Sequence, residues 1–136
     1  TDIKPHGALY MMASKDEEVA RAVADAVTVF NVSIFGMVNT FHEKIYKYER
    51  GLDFIAEFYA DLDYDEKGKL IISKGQNKPY DSQLAVDRSL RAIEEKKVKN
   101  TGGTDTIVGA DTICVHSDTP NAIEIITKLN KAIKNN

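Results

Sequence analysis

The chain has 136 residues, enough for one domain with its own core and too few for two of ordinary size. Hydrophobic residues make up 43% and charged residues 29%, which is a globular composition and not a disordered one. Eighteen Lys and Arg against 21 Asp and Glu leave a formal charge of -3, a poor balance for non-specific binding to nucleic acid or an anionic membrane.

The elements alternate strand and helix. A first strand is predicted from Ile3 to Leu9, broken by Pro5. Ser14-Lys15-Asp16-Glu17 has capping-box spacing, and Val19, Val23, Ala26, Val27 and Phe30 then recur at helical spacing, so a helix is predicted from Asp16 to Phe30. The β-branched run Val32 to Val38, with Gly36 inside it, reads as a buried strand. A short helix is predicted over Phe41 to Glu49, capped by Thr40 and closed by Gly51. Phe54 to Ala60 reads as a strand, Asp65 to Gly68 as a turn, and Leu70 to Ile72 as a short extended piece. Lys74 to Pro79 reads as loop. Asp81 or Ser82 caps a helix running to Lys97, with Val86, Leu90 and Ile93 on one face. Gly102-Gly103 is a loop and Asp111 to His116 a strand. Thr119 and Pro120 fit the N-cap and first position of a last helix, with Ala122, Ile126, Leu129 and Ile133 as its buried stripe. This alternation predicts a single α/β domain, residues 1–136, with largely parallel strands.

The one cysteine, Cys114, excludes an internal disulfide and a thiolate zinc site, and reads as a small buried hydrophobe. No apolar run approaches the roughly 20 residues that span a bilayer. The polar N-terminus has no signal-peptide core, so a cytoplasmic location is expected. The chain opens at Thr1 directly on a strand-like segment, which suggests part of a longer protein.

Buried parallel strands normally read as continuous apolar runs. Here several carry ionisable groups. Glu57 and Asp61 share a face of one strand, roughly 13 Å apart at about 3.3 Å per residue. Thr112, Cys114 and His116 share a face of another, with Asp118 just beyond. Ligands of α/β folds sit outside the carboxyl ends of the strands, where His6, Asp61, His116 and Asp118 are expected. The plain alternative is that these groups cap loops and form structural ion pairs. His42, at a helix start, reads as a solvated or capping residue. Gly102-Gly103-Thr104 lacks the lysine and hydroxyl of a phosphate loop. Two histidines with aspartate partners lack a clear third ligand, so no metal site is assigned.

Two segments carry a family resemblance. Lys4 to Tyr10 reads K-P-H-G-A-L-Y, and Asp111 to Pro120 reads D-T-I-C-V-H-S-D-T-P. Between them, Glu57-Phe58-Tyr59-Ala60-Asp61 is followed by Tyr64, Gly68 and Leu70. In order and spacing these are similar to the signatures of the LamB/YcsF family, the A subunits of 5-oxoprolinase, over their C-terminal half. The resemblance implies the C-terminal half of a distorted β/α barrel, TIM-like and of the glycoside hydrolase/deacetylase type. The family's N-terminal motifs have no counterpart here. A half barrel exposes strand edges and an apolar face, so the chain is expected to be a truncated or cleaved product, or to pair with a missing N-terminal half or another copy.

The implied activity is ATP-dependent opening of 5-oxo-L-proline to L-glutamate with other oxoprolinase subunits, with ATP, accompanied by Mg, as the implied cofactor. An unactivated lactam needs its amide activated and an acid or base positioned for water attack. On that resemblance Lys4 stabilises negative charge, His6 and His116 act as acid/base or orienting groups with Asp118, and Glu57, Asp61 and Asp111 orient them or bind substrate. There are departures. Leu62 stands where the family usually has Arg, a second Arg is replaced around Ser73-Lys74, Ser117 replaces a Gly, and Asn39 replaces another. Lost guanidinium groups remove bidentate carboxylate recognition. That leaves the substrate's carboxylate to Lys74 or to the missing half, unless the substrate differs. Two further readings stand beside this one: a noncatalytic partner-binding module of the same family, and a metal-dependent deacetylase-like hydrolase.

Overall fold

The first strand is shorter than its apolar pattern suggests. β1 is only Asp2–Ile3, and helix α1 follows at Gly7–Lys15. Pro5 has no N–H to give a ladder, and Gly7, at φ +56°, turns the chain into the helix. Residues Gly7 to Leu9 are therefore helical, not extended. The computed structural model describes residues 1–72 and 78–136, so Lys74 and most of the predicted loop lie outside the described residues. The chain divides into two units, Thr1–Glu57 and Phe58–Asn136.

In the first unit, α2 spans Glu17–Thr28. Its N-cap is Asp16, whose side chain accepts from the Glu18 and Val19 N–H groups. Ser14 belongs to α1 instead, where its hydroxyl donates to the Met11 carbonyl, so the cap lies two residues later than the capping-box spacing places it. Ala20, Ala24 and Val27 face a core made with Ala13, Ile34, Ile45 and Tyr46. β2 (Ser33–Gly36) pairs in parallel with β1 and with β3, which runs Phe54–Tyr59 into the second unit. Gly36 lies opposite Ala56, and a Cβ there would come within 2.6 Å of Phe54 and 2.7 Å of His42, so only glycine fits. Between β2 and β3, residues His42–Glu49 form a π-helix, its winding visible where the Arg50 N–H reaches the Ile45 carbonyl. Asn39 has φ +57°, a conformation that Asn tolerates better than most residues.

In the second unit, α3 (Ser82–Glu95) is capped by Asp81 and ends at Lys96, φ +57°. β4 (Lys97–Lys99) and β5 (Asp105–Ile107) form an antiparallel hairpin where the spacing predicts a helix end and a loop. β6 is Thr112–Cys114, and the chain leaving β3 bonds to it through the Ala60 N–H and Cys114 carbonyl. α4 runs Ala122–Lys134. It packs through Ile125 and Leu129 against Ala60, Ala85 and Val86. The buried stripe is thus Ala122, Ile125 and Leu129, while Ile126 and Ile133 are exposed. Apolar residues occupy both stripes, so periodicity alone could not choose. The alternation of parallel strands and helices is that of an α/β fold. Among the described residues no helix is long and apolar enough to cross a membrane.

Candidate functional site

Each unit buries a carboxylate, and the two are four residues apart in the sequence. In the first unit Glu57, on β3, is 5% exposed. One of its oxygens takes the Lys4 ammonium and the other accepts from the Tyr10 hydroxyl at 3.0 Å. Lys4 lies just past β1, with its Nζ 5.6 Å from the centre of the Tyr10 ring. A buried carboxylate needs such partners, because desolvation otherwise drives it to take up a proton.

His42 stands behind this cluster. It is fully buried, contrary to the solvated or capping role expected of it. Its Nδ1 accepts from the Met37 N–H at 3.1 Å, which leaves the proton on Nε2, 2.8 Å from the Tyr10 carbonyl. The ring stacks on Tyr46 at 5.3 Å. Burial lowers its pKa to about 4, against the opposing pull of the Tyr10 carbonyl and Glu57, so the imidazole is neutral near pH 7. His42 shares an i, i+3, i+4 face with Ile45 and Tyr46, and the sequence hid this because an imidazole at a helix start reads as polar.

In the second unit Asp61 follows β3, and its side chain is 0% exposed. Its carboxylate accepts from the His116 N–H at 2.8 Å, the Thr119 hydroxyl at 2.6 Å and His116 Nδ1 at 2.9 Å. Burial works to raise the carboxyl pKa. The His116 ring, the Thr119 hydroxyl and the His116 N–H outweigh it, and the pKa ends below its ordinary value. The His116 side chain is 36% exposed, and its ring stacks on Tyr59 at 5.5 Å. This is an imidazole held on two sides by a buried anion and an aromatic face. Thr119 is not the helix cap that its place before Pro120 suggests. The N-cap of α4 is Asn121, and the Thr119 hydroxyl bonds Asp61 instead.

The remaining expected residues stand apart from the hydrogen bonds described for these two carboxylates. His6 is exposed before α1 and makes no capping bond. Asp118 is exposed in the turn after His116. Asp111 is exposed at the amino end of β6, the opposite end from His116. Lys74 is outside the described residues. Cys114 is half-buried on β6 rather than fully enclosed. Sequence reasoning singles out neither Tyr10 nor Thr119 as a functional side chain, though both belong to the two motifs. It misses Arg88 because a charged residue on a helix reads as solvated.

The glycine turn offers nothing to a nucleotide. Gly102-Gly103 joins β4 to β5, and its N–H groups are spent. Those of Gly102 and Thr104 go to the Asn100 side-chain oxygen, and that of Gly103 to the Asn100 carbonyl. A Cβ on Gly102 would come within 2.2 Å of the Glu66 carboxylate, an anion where a phosphate would need donors. These residues do not fit a polyphosphate. Nor, among the described residues, do three His, Cys, Asp or Glu side chains gather as a metal-ligand set.

The A subunit of 5-oxoprolinase from Oceanobacillus iheyensis is 39% identical over 136 aligned residues, covering 98% of this chain and 52% of its own length. The corresponding Pseudomonas putida protein, the first of its numbered A subunits, is 36% identical over 133 residues, covering 96% and 52%. The crystal structure of a lactam utilization protein from Thermus thermophilus is similar with a TM-score of 0.84 and 33% identity, over 98% of this chain and 54% of that one. The α/β fold therefore corresponds to about half of that structure, and the chain spans about half the length of the relatives it matches. The LamB/YcsF family matches over residues 1–136, and the chain belongs to that family.

Proposed function

We propose that this chain contributes the proton-transfer group of an ATP-dependent 5-oxoprolinase, as part of its A subunit, acting on 5-oxo-L-proline with the other subunits. The observation that carries the reading is the His116–Asp61 pair. The buried carboxylate fixes Nδ1, so proton exchange with a substrate runs through Nε2. In lactam hydrolysis water loses a proton as its oxygen bonds to the carbonyl carbon, the ring C–N bond breaks, and the nitrogen gains a proton. His116 takes the first proton and returns it to the nitrogen. Asp61 and Thr119 orient the ring and favour its imidazolium. ATP would supply activation of the amide, and the Gly102-Gly103 turn would not be its seat.

The test combines the chain with the other oxoprolinase subunits, ATP and 5-oxoproline, and measures glutamate. His116→Ala is expected to lower kcat/KM by at least about tenfold, given the usual scale of acid–base catalysis. A smaller loss removes His116 from that role. A second reading is a noncatalytic partner-binding module of the same family. Stable co-purification with the other subunits and no turnover by the parent chain selects it.

A further inference from the structure

Arg88 is a buried cation outside both clusters. It sits on α3 and is 8% exposed, yet among the described residues no carboxylate pairs with it. Its guanidinium is enclosed by the rings of Tyr80, Phe58 and Tyr64, at 5.4, 5.6 and 6.0 Å. One nitrogen donates to the Ala60 carbonyl at 2.9 Å and meets the Tyr80 hydroxyl. The other donates to the Leu62 carbonyl at 2.7 Å. Tyr80 in turn donates to Asp63 at 2.8 Å.

The two carbonyls are those immediately before and after Asp61. Asp61 lies past the end of β3, where ladder bonds no longer dictate the direction of the backbone. A planar fork reaching both neighbours fixes the peptide units on either side of it. The carboxylate between them makes three bonds within a few tenths of an ångström of one another in length. Such a set tolerates little rotation of the chain that carries it.

We propose that Arg88 is the positioning residue of the His116–Asp61 pair, clamping the Ala60 and Leu62 carbonyls so that the Asp61 carboxylate meets His116 Nδ1. The inference extends the reading of that pair as a proton-transfer group. Its test reads the pair itself, so it stands or falls without turnover. A lysine at the same helix position keeps the charge but loses the planar fork, so whatever carbonyl it reaches it cannot hold the two in the fixed geometry of a guanidinium.

The His116 imidazole is titrated by NMR in the parent chain, in Asp61→Asn and in Arg88→Lys. Groups facing that ring include Asp61, Thr119 and Tyr59, with Asp118 two residues along. Removing the anion disfavours imidazolium, so Asp61→Asn moves the midpoint to lower pH. Arg88→Lys, folded as judged by circular dichroism, is expected to move it by at least half as far in the same direction. A folded Arg88→Lys whose titration overlays the parent overturns the proposal. Arg88→Met, whose apolar stem suits the aromatic enclosure, serves the same comparison if the lysine variant does not fold. If neither folds, the parent decides. Guanidinium N–H resonances of Arg88 that move with the His116 midpoint support the clamp, and resonances indifferent to it overturn it.

Discussion

Glu57 and Asp61 are equally buried, four residues apart on one stretch of chain, and do different things. Glu57 holds a lysine ammonium and a tyrosine hydroxyl, an ion pair and a hydrogen bond. Asp61 holds a backbone N–H, a threonine hydroxyl and an imidazole, the side-chain type suited to passing a proton from one ring nitrogen while the other is held. Burial of a carboxylate therefore does not mark a chemical site by itself. What separates an ion pair from a proton-transfer group is the partner.

Beyond the loss of turnover in His116→Ala, the largest stability difference is expected at these two carboxylates. Asp61→Ala strips an inflexible backbone donor and a hydroxyl of their acceptor, which costs about 3 kcal/mol. Glu57→Ala takes an acceptor from the buried Tyr10 hydroxyl, which can rotate, and from a lysine whose side chain is already 25% exposed and can turn to water, at about 1–2 kcal/mol. Urea unfolding of the two variants checks the order, and equal losses break the comparison. The pH dependence follows the same logic. The Asp61 pKa is lowered on folding, so its contribution is complete above the ordinary value of 3.8 and fades as pH falls below it.

His42 gives the next effect, and with a different window. Its folded pKa of about 4 lies below the ordinary 6.5, so the unfolded chain binds the extra proton between those values. Stability is then complete above pH 6.5 and falls as pH drops toward 4, by on the order of 2–3 kcal/mol. Thermal melts at about pH 7 and about pH 4, at the two ends of that range, check it. His42→Gln, which can keep both hydrogen bonds without titrating, is expected to flatten that slope. A slope unchanged by the substitution assigns the pH effect to other groups.

The sequence made the alternation of strand and helix legible because apolar spacing reports burial directly, and the three motifs led to the family. It also brought out Lys4, Glu57, Asp61 and His116. It could not show that Glu57 and Asp61 serve different partners, since both read as one face of a strand that in fact ends at Tyr59. It misplaced Thr119 because a hydroxyl before a proline fits a helix cap as well as it fits a carboxylate partner. It passed over Arg88 because nothing in one-dimensional spacing distinguishes a solvated helix arginine from one enclosed by three aromatic rings. Each miss is a side chain whose partner is far along the chain.

The smallest effects are expected at His6 and Asp118, which the motifs nominate beside His116. Both side chains are exposed, and neither makes a hydrogen bond or ion pair among the described residues. A general acid or base contributes through a fixed geometry, and a side chain free to rotate in water gives most of that contribution away. His6→Gln and Asp118→Asn should therefore leave the melting temperature unchanged and lower kcat/KM by less than about threefold, against tenfold or more at His116. Steady-state kinetics of the three variants side by side sharpen the contrast between held and unheld groups. If Asp118→Asn loses as much as His116→Ala, substrate itself orders the turn that carries Asp118, and fixed burial in the free chain stops being the measure of which residues do the chemistry.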